Sequence, residues 1–371
     1  MTGNHFQPTT AGATAAHWAA LAEQAGSDVN TRFGHRLMGL PGTWLGAVDA
    51  AGDGQVTRRP RPTPQSPWNY WWQAHYLDAM IDAAHLALST GKGAAAAKEL
   101  QRAQRLLRGI MIRNFLRFPN YFYDDMAWLA LAAARLNDLH LQIKGRRTPL
   151  ARFAVSALHK QLHLAHDMVL GGGIYWSRKR DFKNTPANGP AALHFTRMGE
   201  VDRARSIVEW LRSELFDPEL GLYVDGIHPS ATGRDVENTI YTYNQGPILA
   251  ALLELGQPEY LDQTAGLIDA VARQLRTPGE GIRLEPGGGD GSLFTGILCR
   301  YLALAAREER LPAKTRETAS DMVRETAAAV AGQAPEQLSA AVQRWSIFAA
   351  AATCPQPGPA PASPQPAPRR P

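Results

Sequence analysis

Apolar residues recur at helical spacing along most of this chain, and glycine and proline mark the breaks between the periodic stretches. The pattern predicts helices beginning near Ala13, Trp68, Gly93, Asp124, Thr148, Asn184, Val201, Thr239, Pro258, Asp290, Pro312 and Pro335, the first of them running to about Ala25. Strand-like alternation is nearly absent; only residues 221–227 and 281–285 read as short ribbons within loops. Twelve helices with short connections pair as six hairpins, and closing the hairpins in a ring buries the inner helices against each other. The predicted fold is all-α, a single (α/α)6 barrel over residues 13–354, with long loops at one end building a site. An open helical solenoid is the structural alternative, since no strict internal repeat is visible.

Three stretches fall outside the helical pattern. Residues 1–12 read as disordered, residues 51–67 as an irregular Gly- and Pro-rich insertion carrying several arginines, and residues 355–371 as an extended, disordered, Pro-rich tail. The formal charge of +5 is 39 basic minus 34 acidic residues. Arg369 and Arg370 in the tail supply two of those charges, and no basic stripe interleaved with aromatics or nucleic-acid motif accompanies the rest, so a nucleic-acid partner is not expected. The N-terminus has neither a basic n-region nor an apolar h-region, and no run of ~18 apolar residues follows that could span a bilayer. The expectation is a cytoplasmic protein, at most peripheral to a membrane, and a monomer. Cys299 and Cys354 have no spacing that implies a bridge or metal site and read as free thiols.

The chemistry concentrates at YFYDDMAWLALAAARL, residues 121–136. Asp124 and Asp125 follow three aromatic residues and open an apolar helix. One reading is helix capping, because an Asp before an apolar run is a common N-cap and a second Asp in the first turn suits the helix dipole. The other is a sugar site. A capping pair needs no aromatic wall and no Trp128 one turn on, whereas sugar rings stack on flat aromatic surfaces and their hydroxyls need fixed polar partners. At a loop-to-helix junction two adjacent carboxylates can reach one bound linkage.

Other stretches offer matching side chains. Trp72 and Gln73 stand at the start of an aromatic-rich helix; Trp176, Lys183, Asn184 and Asn188 suit hydroxyl recognition, with Asn184 equally suited to cap a helix. Tyr243, Asn244 and Gln245 form a polar–aromatic run that is unfavourable to bury without partners. Asp290, between glycines, is either an N-cap or a cleft residue. His159, His163 and His166, with Asp167 beside them, have a spacing that could hold a divalent metal, but three ligands from consecutive turns of one helix rarely suffice, and solvent-facing histidines explain them better. No nucleophile elbow, phosphate-binding loop or dinucleotide fingerprint is present, and no cofactor or metal is called for.

Taken together, the WQAH segment at Trp72, FYDDMAWLALA, GGGIYW with KN twelve positions past its first glycine, YTYNQG and GGGDGSLFTGILCRYL resemble glycoside hydrolase family 76, the endo-α-1,6-mannanases, across residues 68–304. The resemblance implies an (α/α)6 barrel and a retaining mechanism with Asp124 as nucleophile and Asp125 as general acid/base. It further implies that Trp72, Gln73, Asn188, Tyr243, Asn244, Gln245 and Asp290 line sugar subsites. The expected partner is an α-mannan-type oligosaccharide, or, given the basic residues Arg178, Lys179, Arg180 and Lys183, an anionic lipid-linked mannoside. A mannan transglycosylase and a non-catalytic glycan-binding barrel are the alternatives; an epimerase or lyase would want His- or Tyr-centred proton transfer, and no such constellation stands out.

Overall fold

The computed structural model describes residues 13–50, 60, 62–230 and 233–356. The disorder expected for residues 1–12 and most of the tail, and much of the insertion, lies outside the described residues. Twelve α-helices occur among them: α1 Ala15–Arg32, α2 Tyr70–Ser89, α3 Gly93–Arg113, α4 Tyr123–Lys144, α5 Pro149–Ala165, α6 Thr185–Arg197, α7 Val201–Glu214, α8 Thr242–Leu255, α9 Pro258–Gln274, α10 Gly291–Ala305, α11 Ala313–Val330 and α12 Leu338–Thr353. Local chemistry sets many of the ends. Thr14 caps α1 by accepting from the His17 N–H. Pro149 and Pro258 sit in the first turns of α5 and α9, where a missing N–H is harmless. Gly145 and Gly256, both left-handed, close α4 and α8.

The even-numbered helices form a closed inner ring, each packed on the next from α2 through α12 and back to α2. The odd-numbered helices lie outside, five of them against the inner helix that precedes them and α1 against α12, so the structure is an (α/α)6 barrel rather than an open solenoid. Inner helices are buried almost all round, whereas outer helices bury one stripe, as α3 does with Ala96, Leu100, Ala103 and Leu107. Close approach in the ring relies on small residues. A Cβ on Gly246 of α8 would stand 2.7 Å from the Tyr301 ring of α10, and one on Gly296 of α10 would stand 3.0 Å from the Gln343 backbone of α12.

Connections alternate in length. The links from inner to outer helix are short, and those from outer to inner are mostly long, so the long loops gather where all six inner helices begin. Two details differ from expectation. The first helix continues past Ala25 to Arg32, because Gly26 is a contact point rather than a stop: a Cβ there would lie 2.6 Å from the Trp345 ring. The ribbon expected over residues 221–227 is divided: Leu222–Tyr223 pairs with Phe216–Asp217, while Gly226 opens a longer hairpin, Gly226–Ser230 paired with Gly233–Glu237 and flanked by Lys183–Asn184. Its second strand is mostly exposed and has no apolar alternation to reveal it.

Beneath the long loops, charge is built into the barrel wall. Arg135 of α4 pairs with both Asp78 and Asp82 of α2, and Arg300 of α10 donates to Asp82 at 2.8 Å. These groups border a cavity of about 410 Å³ reaching the C-terminal ends of α2, α10 and α12. Burial alone would raise the Asp82 carboxyl, but the two arginines outweigh it and hold it at about 2. Removing one member strands the others in a buried site. Asp82→Ala is expected to destabilise the fold by roughly 3–5 kcal/mol, measured by urea denaturation; a loss below ~1 kcal/mol would mean that the network is solvated and dispensable.

Candidate active site

The loop after α3 enters α4 through a clamp. Asn120 accepts from the Phe122 N–H at 3.1 Å and donates to Asp125 Oδ2 at 2.5 Å. Phe122 holds the N-cap position, so Asp124 and Asp125 both stand in the first turn and neither is the cap residue. Asp124 Oδ1 accepts from the Asp125 N–H at 2.8 Å, and its Oδ2 from the Trp176 indole at 3.0 Å. The pair is thus not merely tying off backbone amides: one oxygen of four does so, and two take side-chain donors.

Two cavities meet at Asp124, of about 640 and 630 Å³. Asp124, Trp176, Tyr243 and Phe294 border both. The first arm also holds Asp125, Trp128, Trp71, Asn120, Tyr121 and Asp290. The second holds Asn184 and a group of acids, Asp181, Asp225, Glu237 and Glu285, with His228 paired to Glu237 at 2.7 Å. The result is an open groove that passes the carboxylate pair on both sides. Its walls are flat rings: Tyr243 stacks on Phe294 at 3.8 Å and 10° between planes, and lies 6.4 Å from the Trp128 ring on its other side.

Protonation follows from burial and donors. Burial pushes Asp124 up to about 7, with the Asp125 N–H and the Trp176 indole pulling back. Asp125 is also raised, first by burial and then by the Asp124 charge, against a donor from Asn120. With two donors on Asp124 and one on Asp125, the hydrogen bonding favours the charge on Asp124 and the shared proton on Asp125, the division of labour required of an acid and a nucleophile. In the second arm burial lifts Asp225 to about 6.

The expected subsite residues divide into two groups. Trp128, Asn184, Tyr243 and Asp290 line the groove. Asp290 precedes α10 without capping it; its Oδ1 instead accepts from the Trp71 and Trp72 indoles at 2.9 and 2.6 Å. Trp72 itself is buried behind that contact, and the exposed partner is Trp71. Asn244 is also buried, donating to Asp225 Oδ1 at 3.3 Å. Gln73, Asn188 and Gln245, by contrast, are fully buried and their amides are committed to the main chain. Gln73 pairs with both the N–H and C=O of Gly46, Asn188 with those of Ile174, and Gln245 with those of Tyr223. They anchor loops beneath the groove rather than face it, as a buried amide without partners would be costly.

Two further expectations change. Of the basic residues, Lys183 is wholly buried on Asp167, Val169 O and Gly172 O, Arg180 bonds Asp167 and Leu164 O, Lys179 pairs with Asp181, and Arg178 holds Asn120 O and Gln161. Three of the four cations share two carboxylates, Asp167 and Asp181, and Arg178 bonds neutral acceptors. His159 and His163 are not free in solvent but half-buried against Phe195 and Glu200, partly exposed on one side, while His166 bridges to Ile174 in the following loop. Asp225, Trp71, Asn120 and Phe294 were not anticipated as site residues. Asp225 had a signal, a polar residue inside the apolar GLYVDGI run; Asn120 had none beyond its position before the aromatic stretch.

An (α/α)6 barrel with an acid–carboxylate pair in an aromatic groove defines a class of sugar-cleaving proteins. The sequence profile of glycosyl hydrolase family 76 matches residues 51–348, and the chain belongs to that family. Among solved structures, it is similar to an α-1,6-mannanase from Salegentibacter sp. HEL1_6, captured with α-1,6-mannotriose as an inactive variant carrying two Asp-to-Asn changes (28% identity, 90% of this chain and 99% of that one, TM-score 0.75). The Lin0763 protein of Listeria innocua (24%, 90% and 97%, 0.71) and Dfg5 of Chaetomium thermophilum in complex with glucosamine (15%, 94% and 92%, 0.68) share the fold. No curated protein sequence matches this one. No helix among the described residues is long and apolar enough to cross a membrane.

The Trp176 indole is the one side-chain donor on Asp124, and a donor favours the ionised form. In Trp176→Phe the titration of Asp124, followed by its carbon-13 carboxyl shift, is expected to move to higher pH; an unchanged titration would show that the indole does not hold the charge.

Proposed function

We propose that this protein is a retaining, endo-acting α-1,6-mannosidase. The observation that carries the reading is the carboxylate pair, Asp124 with two donors and Asp125 with one, at the junction of two aromatic-walled arms. A groove continuing on both sides of the reacting group admits the interior of a chain rather than its end alone.

In the first step Asp125 gives its proton to the glycosidic oxygen as the C1–O bond breaks, and an Asp124 oxygen bonds to C1. In the second, Asp125, now a carboxylate, takes a proton from water while that water attacks C1 and releases Asp124. Retention by such a pair wants the carboxyl groups about 5–5.5 Å apart across the anomeric carbon. The acid assignment rests on hydrogen bonding: Asp124 is the one that accepts a backbone N–H, and Asp125 accepts only the Asn120 side chain.

Substrate class follows from the lining. Trp176 and Trp71, the accessible tryptophans of the lining, offer stacking faces for sugar rings, with Tyr243, Phe294 and Trp128 packed behind as an aromatic wall, and the Salegentibacter enzyme binds α-1,6-mannotriose. The second arm carries carboxylates, and three of the four cations of the adjacent basic segment are engaged by Asp167 and Asp181, so a neutral mannoside suits the groove better than an anionic glycolipid. The same two-armed groove can seat an acceptor sugar in place of water, which product lengthening in excess mannobiose would reveal.

Asp124→Asn and Asp125→Asn are each expected to reduce release of short mannosides from α-1,6-mannan by at least ~10³-fold. NMR of the first-formed product should show the α-anomer. Activity retained in either variant, or a β-anomer formed first, would overturn the mechanism.

A further inference from the structure

Outside the groove, three ligand-type side chains converge on the barrel's outer layer. His159 and His163 project from successive turns of α5, and Glu200 comes from the residue preceding α7. His159 Nε2 lies 2.9 Å and His163 Nε2 3.0 Å from the same oxygen, Glu200 Oε1, and the two nitrogens are 3.2 Å apart. The three atoms make a nearly equilateral triangle. A tetrahedral metal with bonds of about 2.0–2.1 Å has ligand–ligand edges of about 3.3 Å, so the triangle need only widen slightly to become one face of such a site.

The surroundings supply what a metal site needs beyond its ligands. His159 Nδ1 is 3.1 Å from His194 Nε2, and a proton placed on Nδ1 leaves the His159 Nε2 lone pair directed at the triangle. His194 is buried and its own Nδ1 has no partner among the described residues. With its proton on that Nδ1, His194 Nε2 accepts from His159 Nδ1. Arg203 sits 3.4 Å from Glu200 Oε2, fixing the carboxylate and leaving Oε1 to the histidines. The ligand side chains remain between a fifth and a third exposed, which gives an ion a path in and a fourth position for water.

We propose that His159, His163 and Glu200 bind a divalent transition metal of the zinc class, tying α5 to the α6–α7 turn. Two imidazoles and a carboxylate are a zinc-type donor set, too nitrogen-rich for calcium or magnesium. None of the three residues borders the groove, so the ion is structural and takes no part in glycoside cleavage. The helical pair at i, i+4 is incomplete alone, and the residue that completes it lies 37 positions beyond His163.

The test uses the full-length, untagged protein after chelator treatment and dialysis. Zinc titrated against a chromophoric chelator is expected to bind at one equivalent and to raise Tm, and cobalt is expected to give the visible absorption of a four-coordinate ion. His163→Ala and Glu200→Gln should each weaken zinc binding at least tenfold and abolish the Tm shift, with folding checked by circular dichroism. His194→Leu, which removes only the acceptor behind His159, should weaken it by roughly 10–100-fold. Absence of saturable zinc binding to the wild-type protein would overturn the proposal and leave a hydrogen-bonded triad. Binding equally tight in a His163→Ala/Glu200→Gln double variant would overturn it as well.

Discussion

The common direction of the six inner helices is the constraint from which the site follows. Five inner helices return through a short turn to an outer partner and the sixth, α12, packs on α1 from the start of the chain, so all six begin at the same end of the barrel, and the long loops gather there. Their N-termini turn the positive ends of their dipoles toward that end, an environment that favours carboxylates. A proton donor is difficult to maintain in such a field. The structure overcomes it by burying Asp125 beside Asp124 and withholding backbone donors from it.

A second device recurs around the ring. Gln73 on α2, Asn188 on α6 and Gln245 on α8 each use an amide to pair with both main-chain groups of one loop residue, much as a neighbouring strand would. In a protein with so little sheet, these side chains satisfy buried loop backbone that has no ladder to join. The long loops are thereby fastened to the rigid ring, which keeps the groove walls in place without a ligand.

Those amides also mark the limit of what could be read from the chain alone. Helical periodicity and the Gly and Pro breaks placed every helix start within three residues, since packing in a barrel rewards the same apolar spacing that a reader detects. The carboxylate pair was legible because aromatic residues crowd both sides of it in sequence. Gln73, Asn188 and Gln245 were not separable from sugar-binding residues. A polar side chain near an aromatic one gives the same pattern whether its partner is a hydroxyl or a buried peptide, and only the fold tells which. Asp225 and Trp71 reach the groove through the hairpin and the turn of α2, placements that depend on the tertiary arrangement. Glu200 was likewise invisible beside the histidines of α5, because a neighbouring helix brings it in.

One carboxylate oxygen of Asp290 receives two indole N–H groups at once. Gly287, Gly288 and Gly289, all with positive φ, run up to that aspartate, so the contact fastens the end of an otherwise permissive segment to the rings of α2. Neither Trp71 nor Trp72 can swing freely while it holds. A sugar arriving at Trp71 therefore meets a surface whose orientation is already settled, and the entropy of fixing a large rotor has been met during folding rather than at the moment of encounter.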